Sequence, residues 1–206
     1  MRQAGAAEIV ARATGPMQKG ETVDLSNFEV LETVDLSGAT LANVDFSGCR
    51  FRAPFIAKST TFAGLAWFKG AEFASSLDMS RAVFCNDLRM RGAVMRGTVR
   101  LSKAELRGVA DLDAARFEDR ADLDGLVVFG NMSMAGTQFR APVTLQDSEF
   151  LGGLWCEGAS FAARADFRGV EVHGRTWLKH ATVSGAPQAG ARGAMGDIQS
   201  YGYTWV

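Results

Sequence analysis

Leu88-Arg89-Met90, Val99-Arg100-Leu101, Ala110-Asp111-Leu112 and Ala121-Asp122-Leu123 are four triplets placed eleven residues apart. Each reads apolar, charged, apolar, which is the period of two of a very short strand whose middle side chain faces outward. Small polar or glycine residues follow, as in Arg91-Gly92 and Asp124-Gly125, and turn the chain. The pattern runs in both directions. Stepping by eleven from Phe51 gives Phe62, Phe73, Phe84, Met95, Leu106, Phe117, Val128, Phe139, Phe150, Phe161, Val172 and Val183, all apolar. A second apolar series, six residues further on, runs from Ala57 through Phe68, Met79 and Met90 to Leu178. Upstream, Leu36, Leu41, Phe46 and Phe51 are spaced by five.

An eleven-residue period also suits a right-handed coiled coil. Placed on a helix at ~100° per residue, however, the apolar offsets encircle the axis instead of forming a stripe. Gly70, Gly92, Gly125, Gly136, Gly158 and Gly169 would each cost a helix ~1 kcal/mol. A leucine-rich repeat would need an asparagine ladder, and the sequence lacks one. Short strands and corners that repeat in this way wind into a solenoid.

The segment from Val34 through Asp35-Leu36-Ser37-Gly38-Ala39 to Phe51 resembles the A-D/N-L-x-x motif of the pentapeptide-repeat family, and the five-plus-six spacing downstream is similar to a divergent branch of it. The resemblance covers about Val23 to Ser184. It implies an all-β fold, a right-handed quadrilateral β-helix with inward-facing motif centres. At about 22 residues per coil, roughly seven coils are expected. The expected organisation is an N-terminal cap over 1–20, in part a short helix, then the β-helix over 21–184. A flexible Gly/Ala-rich linker and aromatic tail follow over 185–206.

Composition narrows the function. The 206 residues carry 22 Lys and Arg against 23 Asp and Glu, a net charge of −1. That balance disfavours nucleic acid as a partner, and equally a strongly acidic mimic of it. Some pentapeptide-repeat proteins imitate duplex DNA and engage DNA gyrase. The resemblance therefore raises a topoisomerase-binding role, which the near-neutral charge disfavours. No run approaches the ~18 apolar residues of a membrane span, and Arg2, Glu8 and Arg12 interrupt any secretory apolar core. A cytoplasmic protein is expected.

A 22-residue coil sets residue i beneath residue i+22. Arg89 then falls on Asp111, Arg91 on Asp113, Arg96 on Glu118 and Arg100 on Asp122. Asp78 falls on Arg100, Glu118 on Arg140 and Glu157 on Lys179. The basic run from Arg81 to Arg107 and the acidic run from Asp111 to Asp124 thus face each other. One outward column reads Asp45, Trp67, Arg89, Asp111, Ser133, Trp155, Trp177, with a cation–π pair expected between Trp67 and Arg89. Val83, Val127, Phe129 and Leu151 form a weaker apolar patch. The ending Tyr201-Gly202-Tyr203-Thr204-Trp205-Val206 holds both tyrosines of the chain. It folds back on the last coil, docks into a partner, or serves as substrate for an enzyme that modifies its rings.

Catalytic chemistry is sparse. Two histidines, His173 and His180, lack an obvious nucleophile, Cys49 and Cys156 fall at inward positions, and Cys85 is outward without a histidine nearby. No CxxC, HExxH or glycine-rich phosphate loop is present. The reading is a non-enzymatic scaffold without cofactor, metal site or catalytic residues. It binds an unidentified protein, or a second copy of itself, through Trp67, Arg89, Trp155, Trp177, Tyr201, Tyr203, Trp205 and Val206.

Overall fold

The structure is a computed structural model describing residues 1–16, 20–162, 164–184, 186–187 and 194–206. Four sheets form the four sides of a β-helix, with ten, nine, eight and seven strands among the described residues, all paired in parallel except the last strand of the ten-stranded sheet, Ala186–Pro187, which runs antiparallel to Thr182–Val183. Taken in chain order, face I begins at Thr22–Asp24, face II at Phe28–Val30, face III at Val34–Asp35 and face IV at Thr40–Leu41. Each later turn adds one short strand to each face. Early turns pair residues 21 apart, as Thr40 with Thr61, and later ones 22 apart, as Leu88 with Ala110. The shorter turns belong to the stretch spaced strictly by five.

The interior is the apolar ladder. Phe46, Phe51, Phe62, Phe84, Phe117 and Phe150 are fully buried. Rings stack from coil to coil, Phe62 on Phe84 at 4.5 Å and Phe117 on Phe139 at 4.4 Å. Such pairs add ~0.5–1.5 kcal/mol each beyond the burial of area. Buried hydroxyls are satisfied by carbonyls of the preceding coil, Thr60 donating to Leu36 at 2.7 Å and Thr137 to Leu112 at 2.7 Å. Cys49 and Cys156 lie in the same interior, and burial pushes their thiols up to about 11 and about 12.

Several corners after faces I and III follow a pattern written in the sequence as Asp-x-Ser or Asp-x-Asp. The outward aspartate at the strand end accepts the backbone N–H two residues on. Asp35 accepts Ser37 at 2.9 Å, Asp45 accepts Ser47 at 2.8 Å, and Asp122 accepts Asp124 at 3.2 Å. The following residue takes a left-handed conformation, glycine at Gly48, Gly70 and Gly92 but Ala114 at the same point of the next coil. Corners between faces IV and I stack glycine on glycine, Gly108, Gly130, Gly152, Gly174 and Gly202. A Cβ at any of the last four would strike the backbone of the coil before it.

At the N-terminal end, the helix Ala6–Thr14 buries Ile9 and Ala13 against the first coil. At the other end, the strands Gln199–Ser200 and Thr204–Trp205 continue faces IV and I beyond Ser184. They pair at a spacing of 28, Glu171 with Gln199 and Thr176 with Thr204, so the last turn holds six extra residues. The Gly/Ala-rich linker expected there falls largely at 185 and 188–193, outside the described residues.

Candidate binding surface

Face I carries the outward column Asp24, Asp45, Trp67, Arg89, Asp111, Ser133, Trp155, Trp177, Trp205, one residue per coil. The tail thus brings Trp205 into line with the other three, and all 4 tryptophans of the chain share one column. Trp177 and Trp205 stack at 4.7 Å with planes 28° apart. Tyr203 tilts against Trp205 at 5.9 Å and is 79% exposed. Around the glycine corner, Tyr201 stacks on His173 at 5.0 Å. His173 Nε2 lies 3.0 Å from Glu149 and 3.6 Å from Glu171. Phe129 and Leu151 continue that side toward the middle of the rod, Phe129 exposed and Leu151 half-buried.

The local backbone makes room for these rings. Gly153 has φ of +132°, and a Cβ there would meet the Arg175 backbone and lie 3.0 Å from the Trp155 ring. The Nε1 of Trp177 is buried without a hydrogen-bond partner among the described residues. Val206 closes the column of motif centres above Leu178 and is 60% exposed. Trp67 and Arg89 stand apart from the aromatic end, next to each other in register.

Three pairings differ from expectation. Arg89 does not lie over the Trp67 ring. Its guanidinium reaches Asp87 at 2.6 Å and Asp111 at 3.9 Å, and a charged partner outbids a ring face. The cation–π contacts seen among the described residues are those of Arg2 and Arg12 on Phe28. Arg100 stands beside Asp122 in register but makes its ion pair with Asp78, at 3.9 Å. Arg96 likewise turns to Glu72 at 2.9 Å rather than to Glu118. Arg91 to Asp113 at 2.7 Å and Arg140 to Glu118 at 3.1 Å join neighbouring coils as the spacing requires.

Among the described residues, no group of three or more His, Cys, Asp or Glu side chains is arranged to hold a metal ion, and no helix is long and apolar enough to cross a membrane.

Two family profiles, both for pentapeptide repeats, match residues 30–53 and 57–105 with 8 and 9 copies. No curated protein matches. Among solved structures, the trypsin-treated form of QnrB1, a plasmid-mediated fluoroquinolone resistance protein, matches at 20% identity. The match covers 80% of this chain and 83% of that one, with a TM-score of 0.21. Residues 30–53 and 57–105 thus carry the repeats of the pentapeptide-repeat family, and every later turn carries on the same four-sided coil.

Proposed function

We propose that the protein is a non-enzymatic binding module that receives a protein partner on face I and the adjoining glycine corner of its C-terminal coils. The alignment of Trp155, Trp177 and Trp205 in one column, with Tyr201 and Tyr203 exposed beside it, carries this reading. Tryptophan and tyrosine are the residues that most often anchor protein interfaces. The stacked glycines between the two aromatic sides keep the surface free of projecting side chains, so a partner can approach the backbone closely. Imitation of duplex DNA is a poorer fit, because Arg89 and Asp111 alternate in sign along the same column.

Point changes test this better than truncation, since the tail strands are hydrogen-bonded into the stack. Tyr201→Ser with Tyr203→Ser alters two exposed rings. The expected result is loss of a co-purifying protein partner with stability within about 0.5 kcal/mol of the parent. Retention of every partner by this variant and by Trp155→Ala would overturn the assignment.

A further inference from the structure

On face III, five of the seven corners place a carboxylate oxygen on the backbone N–H that follows the strand. Asp35, Asp78, Asp122 and Asp166 bind the N–H of Ser37, Ser80, Asp124 and Arg168. At the fifth, Thr144 replaces aspartate, and Asp124 of the coil before supplies the oxygen to Gln146 N–H at 2.8 Å. The two remaining corners have Ile56 and Arg100 in place of aspartate. Among the described residues, nothing accepts the N–H of Lys58 or of Ser102.

Both vacant corners line one groove of about 590 Å³. Its charged groups are Lys58, Arg81, Arg100 and Lys103 against the single carboxylate of Asp78. Asp78 is already held by Lys58 at 3.3 Å and Arg100 at 3.9 Å, and it accepts the Ser80 hydroxyl at 2.6 Å. Arg81 and Lys103 occupy the left-handed corner position in successive coils and make no ion pair among the described residues. The Ser59 and Ser102 hydroxyls stand beside them. The comparable groove on face I, of about 490 Å³, also has corner N–H groups, at Lys69 and Arg91, that nothing accepts among the described residues. There, Asp45, Asp87 and Asp111 balance its three cations.

We infer that the face III groove is a binding site for a phosphate-class oxyanion, which supplies at Ser102 the acceptor oxygen that aspartate supplies at the neighbouring corners. One oxygen takes the Ser102 N–H, and Arg81 and Lys103 neutralise the others. Backbone amides at turns combined with flanking cations are a general means of holding such groups. The site lies on a different face from the aromatic column and does not depend on it.

Pyrophosphate and a phosphoserine peptide, titrated in parallel by calorimetry at fixed ionic strength with chloride as reference, test the site. Saturable binding of either supports it, and which one binds tells whether the group is free or carried on a side chain. Arg81→Gln with Lys103→Gln should weaken binding roughly tenfold or more, since each hydrogen bond to a charged group counts strongly. Arg100→Asn gives Ser102 N–H an internal acceptor and should also lose binding while leaving the melting temperature unchanged or higher. Lys179→Gln, which removes an exposed cation on another corner, should bind as the parent does. Equal response to chloride and pyrophosphate would sink the site, and so would parental affinity in the Arg81/Lys103 variant.

Discussion

Residue by residue, this fold is a matter of what each corner tolerates. Ala114 adopts φ of +54° where Gly92 and Gly136 stand in the adjacent coils. An L-residue there costs ~1–2 kcal/mol, and glycine forfeits part of that gain through its freer unfolded chain. Ala114→Gly should therefore raise unfolding stability by about 0.5–1 kcal/mol in a urea titration. No change would show that the corner relaxes around the methyl. The inward residues were readable from the sequence because every one repeats at a fixed offset. The carboxylates that cap corners were less so. Asp-x-Ser looks like ordinary turn composition until the backbone shows which N–H the oxygen meets, and at Gln146 that oxygen comes from a residue 22 positions away.

Between neighbouring strands, ion pairs follow coil stacking only in part. Arg140 meets both oxygens of Glu118 at 3.1 Å, one coil apart. A double-mutant cycle on Glu118 and Arg140 should give a coupling of about 0.2–1 kcal/mol, screened by salt. The same cycle on Arg100 and Asp122 should give nearly none, because Arg100 is engaged by Asp78. Equal coupling in the two cycles would mean that register alone decides partners. The sequence set Arg100 beside both acids. It could not show that Asp122 gives an oxygen to its own corner while the outer oxygen of Asp78 faces Lys58 and Arg100. The tryptophan column was legible up to Trp177. Trp205 escaped it because the last turn is six residues longer, and a reading in steps of 22 passes it by.

For the molecule as a whole, the capping carboxylates bind stability to pH. At Asp24 and Asp35, the serine two residues on holds the carboxyl below its ordinary value. Burial works against the charge of Asp78, but its bonds to Ser80 and Lys58 outweigh it and lower it as well. At Glu72 and Asp166 the arginines Arg96 and Arg168 do the same. The folded protein thus takes up these protons less readily than the unfolded chain. The stability they supply is full at neutral pH. It begins to fall near pH ~4, where unfolded carboxylates protonate, and is gone once the folded ones have titrated too. Thermal melts should decline progressively below about pH 4, and Asp78→Asn should flatten part of that decline. A melting temperature constant down to about pH 3 would show that the corners do not need their charge.

The pairing of residues 22 positions apart through the middle of the rod also makes length a countable property. Removing one such segment joins two corners of the same kind. It leaves every downstream column on its own face and shortens the rod by a single step of ~4.8 Å. Removing half a coil instead turns all that follows about the axis and carries the tryptophans to a different side. The distance between the helical end and the aromatic end is therefore set in whole coils, and lineages of such a chain can lengthen or shorten it while keeping both ends facing the same way.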